Sequence, residues 1–177
     1  TGYFLDKKSS GIGDIQFSFS RQLRGENGLI LKGTLKLPSG DADLLTGSGG
    51  TDFSLSVFQQ NQDMFVGVPA GVYWGAGLLR INDPALFTDR HKEWITFGTL
   101  GVGWSVLPKL GLKLQFDMHS KFYDSELDAM GKPSIQVSMG GWWSFDERRR
   151  LNIAIGEDLI VKTAPDISIH VDFNWAF

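Results

Sequence analysis

Apolar and polar residues alternate along most of this chain, most clearly in its last stretch. From Asp166 to Phe177, Ile167, Ile169, Val171, Phe173, Trp175 and Phe177 fall on one side of an extended strand. Asp166, Ser168, His170, Asp172, Asn174 and Ala176 fall on the other, because successive side chains of a strand change face. Neither Gly nor Pro interrupts the run. Its length, about twelve residues, exceeds the five or six of an average globular strand and suits a tilted strand that crosses a bilayer.

The same period predicts about eight further strands upstream. Ile15, Phe17 and Phe19 alternate with Gln16, Ser18 and Ser20. Beyond an Asn-Gly turn at 24–28, Leu29, Leu31, Leu35 and Leu37 alternate with Ile30, Lys32, Thr34 and Lys36. Phe53, Leu55 and Val57 make the third strand, with Phe58 on its polar side, and residues 59–63 turn. Met64, Val66, Val68, Ala70, Val72 and Trp74 form the next apolar face, opposite Phe65, Gly67, Gly71 and Tyr73. Trp94 to Val106 is the fifth strand and Leu110 to Met118 the sixth, joined tightly at Leu107-Pro-Lys109. Ile135, Val137, Met139, Gly141, Trp143 and Phe145 give the seventh, and Leu151, Ile153 and Ile155 the eighth, with a charged turn at 146–149 between them. No stretch competes at the helical period.

The connections alternate in length. Those at 24–28, 59–63, 107–109 and 146–149 are short, and those at 39–50, 75–93, 120–133 and 157–165 are long. Barrels of the bacterial outer membrane have this asymmetry, with short periplasmic turns and longer extracellular loops. A soluble β-meander has no reason to keep its long loops at one end. The expected fold is therefore all-β: an antiparallel up-and-down transmembrane β-barrel over residues 1–177, read as one domain with about nine strands.

Composition narrows the picture. A net charge of −3 supplies no basic field for nucleic acid, and the absence of cysteine removes disulfides and thiolate metal sites. There is no run of 18 apolar residues, so a transmembrane helix is excluded. The polar faces hold mostly Ser, Gln, Gly, Asn and Thr rather than the many Lys and Glu of a solvent-facing wall, which favours a wet lumen inside and lipid outside. The aromatic residues agree. Trp74, Trp94, Trp104, Trp143 and Trp175 are expected near strand ends, as membrane girdles. Trp94 and Trp104 share a face, and ten residues at ~3.3 Å each, tilted ~40°, place them roughly 25 Å apart along the membrane normal. Between the girdles the apolar register carries no charge, with Arg21 and Glu157 at its ends.

Four stretches carry resemblances to known proteins. Phe173, Trp175 and the terminal Phe177 resemble the C-terminal signature that the outer-membrane assembly machinery reads. Gly11-Ile-Gly-Asp14, Leu35-Lys-Leu-Pro-Ser-Gly-Asp41 and Thr46-Gly-Ser-Gly-Gly-Thr-Asp52, in that order, resemble outer-membrane families of the DUF3187 type and the neighbouring family named for the MetA pathway of phenol degradation. The likeness is sharpest over residues 11–57. It implies a barrel of about a dozen strands that moves small, often apolar molecules, and it brings no catalytic residues. An odd number of strands cannot close antiparallel. One to three strands upstream of Thr1, 10–12 in all, or a partner chain are therefore expected to complete the wall.

Chemistry-bearing residues are few. Thr46 to Asp52 partly matches a calcium-binding nonapeptide, but a single copy cannot build the stacked roll such sites need, and a Gly-rich loop is expected. His119 and Ser120 are adjacent on a strand and so point to opposite faces, which separates a base from its nucleophile. His170 has no second His on its strand and is expected to hydrogen-bond in the lumen. No catalytic, metal or cofactor site is expected. The candidate lumen residues are Lys32, Lys36, Lys113, Asp117, His170 and Asp172, with Phe58, Phe65 and Trp142 as an aromatic constriction beside a glycine-smoothed wall of Gly67, Gly71, Gly101 and Gly103. The functional expectation is a passive outer-membrane channel or porin for small, partly apolar solutes, in contact with the bilayer and its assembly machinery and open to homo-oligomerisation. The alternatives are a plugged, non-transporting barrel with a structural or surface-interaction role, and a soluble ligand-binding barrel.

Overall fold

The structure, a computed structural model, describes residues 10–23, 28–61, 69–82, 90–126, 131–159 and 167–176. Among the described residues, nine antiparallel strands follow one another in a single sheet: β1 (Ile15–Gln22), β2 (Ile30–Leu37), β3 (Asp52–Asn61), β4 (Ala70–Ile81), β5 (Trp94–Leu107), β6 (Leu110–His119), β7 (Ser134–Ser144), β8 (Arg149–Asp158) and β9 (Ser168–Trp175). Each strand pairs with its sequence neighbours, and among the described residues β1 and β9 are the unpaired edges. All connections between odd and even strands lie at one end and are the shorter ones; those from even to odd strands, 38–51, 82–93, 120–133 and 159–167, lie at the other.

Register turns alternation into two continuous faces. Phe17, Leu35 and Phe53 are opposite one another on β1 to β3, and Leu100, Phe116 and Val137 on β5 to β7. This face is apolar and exposed: Leu112 is 49%, Met139 62%, Ile155 53% and Ile169 69% accessible. On the other face Ser18 meets Thr34, Gln115 meets Ser138, and Asn152 meets Asp172. The concavities of the sheet lie on this polar side, lined by Tyr73, Lys113, Gln115, Ser138, Asn152 and His170 among others. The described residues enclose no dry interior. Among the described residues the only buried hydrophobic side chains are Ala70 and Ile95.

β4 departs from the sequence expectation. Among the described residues it spans Ala70–Ile81 and so runs on past Trp74 through residues expected to form a loop. The outward face continues from Trp74 through Ala76 and Leu78 to Arg80, while Gly75 and Gly77 occupy inward positions. Those glycines imitate a loop in the sequence, yet each is covered by an aromatic ring from a neighbouring strand, Phe58 over Gly75 and Phe97 over Gly77. This extension corrects the position of Trp74. It is the fifth of twelve residues in β4, opposite Leu100 in the body of the sheet, and not at a strand end. Met64, Phe65, Val66, Gly67 and Val68 lie outside the described residues, as do Asp166 and Phe177.

Charges on the apolar face stay at its margins. Arg21 and Arg149 are at the short-turn end, while Arg80 and Glu157 are at the long-connection end. The Arg80 guanidinium lies 5.5 Å from the centre of the Trp94 ring. The one amide set further in, Gln59, accepts a hydrogen bond from Trp74 Nε1 at 3.2 Å, so each offers the other a polar partner on a greasy surface.

Candidate functional site

The concave polar face is the candidate site, and charge is arranged unevenly along it. At the long-connection end, Lys36 binds Asp52 and Ser48 and lies 3.5 Å from Asp14. Asp14, just ahead of β1, anchors the connection between β2 and β3. Its carboxylate accepts from Ser48 N (2.9 Å), Gly40 N (3.0 Å) and Ser48 Oγ (3.1 Å). These donors, the Ser48 amide foremost, lower its pKa from 3.8 to about 2, with Lys36 adding to the effect. Gly40 and Gly47 touch backbone to backbone at the neck of the same loop, where a side chain on either would collide with the other strand of the loop.

The loop that holds the partial calcium motif, Thr46 to Asp52, is closed by its own turns. Asp41 Oδ1 accepts from the amides of Asp43 (2.8 Å) and Leu44 (3.2 Å), and Thr46 Oγ1 accepts from Asp41 N (2.9 Å). This is Asx-turn chemistry. No grouping of three potential metal ligands occurs among the described residues. His119 Nδ1 meets the carbonyl of Ser120 at 2.8 Å, and the Ser120 hydroxyl accepts from Thr96 N at 3.0 Å. The imidazole and the hydroxyl are not joined.

The middle of the wall carries a chain of hydrogen bonds that the sequence alone did not single out. Tyr73 on β4 donates to Gln115 on β6 (2.7 Å), and Gln115 Nε2 donates to Asp117 Oδ2 (2.7 Å). It spans β5 because Gly101 lies between Tyr73 and Gln115 in the register, and the Tyr73 ring covers it. Parity could have placed Tyr73 and Gln115 on one face. Only the register brings them together.

At the short-turn end, Trp142 on β7 covers Gly111 on β6, with its far edge 3.8 Å from where a Cβ on Gly103 would stand. Lys113 Nζ and the Arg150 guanidinium lie 5.7 Å and 5.9 Å from the centre of its ring. Arg150 belongs to this face because β8 begins at Arg149, two residues before the apolar alternation becomes visible at Leu151. Phe58 and Trp142 both line a concavity at this end with Tyr73, Lys113 and Arg150. The glycine wall expected to be bare is partly roofed, since Gly101 lies under Tyr73 while Gly71 and Gly103 stand opposite each other.

The remaining candidates are distributed along the face. Lys32 stands opposite Ser20 and Ser56. Asp172 on β9 accepts from Asn152 Nδ2 (3.0 Å) and from Asn174 Nδ2. His170 is opposite Ala154, exposed on the groove. Trp104, Trp143 and Trp175 face outward at the short-turn end and Trp94 at the other. Phe173 faces outward on β9, 6.3 Å from Phe145 between ring centres.

Comparison with known proteins places this wall among others. The model of a family described as "Protein of unknown function (DUF3187)" matches residues 5–177. Among solved structures, the chain is similar to the COG4313 outer membrane channel from Pseudomonas putida F1, with 18% identity and a TM-score of 0.67, over 94% of this chain and 67% of that one. At that identity the likeness concerns the fold, an antiparallel β-barrel wall. No curated protein matches the chain.

Proposed function

The chain belongs to the DUF3187 family, and from that premise and the inverted distribution of its side chains we propose that it is an outer-membrane β-barrel acting as a passive channel for small, partly apolar solutes. One observation carries the reading. The exposed convex face is apolar, the concave face is polar and grooved, and the described residues form no dry core between sheet layers. A soluble barrel buries its apolar face because each apolar side chain hidden from water is worth about 1.5–3 kcal/mol. A wall that does the reverse is stable only where lipid replaces water outside.

The solved structure whose fold it shares is described as an outer membrane channel, which supports the same reading here. The lumen residues fit a small, mixed solute: hydroxyls and amides along β1 to β3 and β6 to β9, and aromatic rings at Phe58, Tyr73, Phe97 and Trp142. The outward aromatic residues at both margins would sit at the two membrane interfaces, and the terminal aromatic run would present itself to the assembly machinery. Liposome swelling with a graded series of neutral solutes tests the reading. Flux that falls with solute size is expected, and a folded, inserted barrel without flux would instead fit a non-transporting structural barrel.

A further inference from the structure

Two cations at the short-turn end of the concave face have no acidic partner. Among the described residues neither Lys113 nor Arg150 is in an ion pair, while Lys36, Lys92, Lys121 and Arg149 each are. Lys113 Nζ lies over the Trp142 ring, and Arg150 Nε donates to Ser144 Oγ at 3.3 Å. Three of the four carboxylates near this part of the wall are held by other groups, and the fourth, Glu147 in the turn before β8, lines the same groove as the two cations. Asp172 is taken by Asn152 and Asn174, Asp117 by Gln115, and Asp146 by Arg149. Both cations are exposed to the groove, and between Lys113 and β9 the wall is low, formed by Gly140 and Ala154.

Resting on the channel reading, we propose that Lys113, Arg150 and Trp142 form a subsite for an organic anion with a flat apolar body, an aromatic carboxylate being the simplest case. A carboxylate would accept charge-assisted hydrogen bonds from the ammonium and, in bidentate fashion, from the guanidinium. Such bonds are stronger than the contact an exposed cation makes with a ring, so the cations gain by turning from Trp142 to the solute. The flat body then covers the indole that they vacate. Trp142 is fixed for this, because its other side is seated over Gly111. A neutral analogue gains the ring contact alone, and a cationic one is repelled.

Benzoate, benzyl alcohol and benzylamine are the probes, and binding is read by calorimetry on the detergent-solubilised full-length protein, whether or not it conducts. Benzoate is expected to bind at least about tenfold more tightly than benzyl alcohol, and Lys113→Gln/Arg150→Gln to remove that margin. Lys113→Arg keeps the charge and is expected to keep the preference. The shift of unheated electrophoretic mobility on boiling checks that each variant is folded. Equal binding of benzoate and benzyl alcohol, or an unchanged benzoate affinity in a folded double variant, overturns the subsite. Absence of current through the wild-type protein in planar bilayers overturns the channel reading instead.

Discussion

The indole of Trp142 on β7 lies over Gly111, its register partner on β6, so that a methyl group at residue 111 would fall within the ring. Tyr73 over Gly101, Phe58 over Gly75 and Phe97 over Gly77 repeat the arrangement. A ring laid over a glycine fills the gap the missing side chain leaves and keeps the large group flat against the wall. Gly111→Ala is therefore expected to destabilise the folded barrel by about 1–3 kcal/mol, as overpacking does. In a Trp142→Leu background the same substitution should be nearly neutral. Urea unfolding in detergent micelles, run as a double-mutant cycle, checks the coupling; equal costs in the two backgrounds would count against it.

Asp14 predicts a pH-dependent loop. Its folded pKa, about 2, lies below its ordinary 3.8, so the stabilisation it gives is complete above about pH 4 and is lost as pH falls toward 2. Pepsin cutting at the exposed Leu44–Leu45 pair reads the loop directly. Relative to an unstructured peptide, cleavage of the wild type should accelerate several-fold between pH 4 and pH 2. Asp14→Asn should be cleaved at the faster relative rate at both.

Much of the fold was legible because one face of every strand has to be apolar, and a period of two survives almost any choice of apolar residue. Leu110 to Met118 shows it plainly. The second half of β4, from Gly75 to Ile81, was not legible, since Gly75 and Gly77 replace side chains with space for the rings of other strands, and local sequence cannot tell such a glycine from a loop glycine. The same limit hid the link from Tyr73 through Gln115 to Asp117, which depends on register across three strands. Arg150 was hidden for a simpler reason, because it extends a strand into what reads as a charged turn.

The corrected place of Trp74 has its own consequence. Its register puts it four residues from the Trp104 level and six from the Trp94 level, roughly 10 Å inward from Trp104 at ~3.3 Å per residue and ~40° tilt. In single-tryptophan variants reconstituted with brominated lipids, Trp74 should be quenched best by bromines deep in the acyl chains. Trp104, Trp94 and Trp143 should respond best to shallow ones. A common depth for all four would restore Trp74 to the girdle.

The orientation of the two faces can be measured residue by residue, since the chain has no native cysteine. Single cysteines at Leu112, Met139, Ile155 and Ile169 on one face, and at Gln115, Ser138 and Ala154 on the other, would be reconstituted in liposomes and exposed to a small, charged maleimide. Cysteines at 115, 138 and 154 are predicted to react, and those at 112, 139, 155 and 169 to stay unreacted while nitroxide-labelled lipids broaden their signals. Reaction at 112, 139, 155 and 169 with protection at 115, 138 and 154 would mean that the apolar face is turned away from lipid, and would contradict the account.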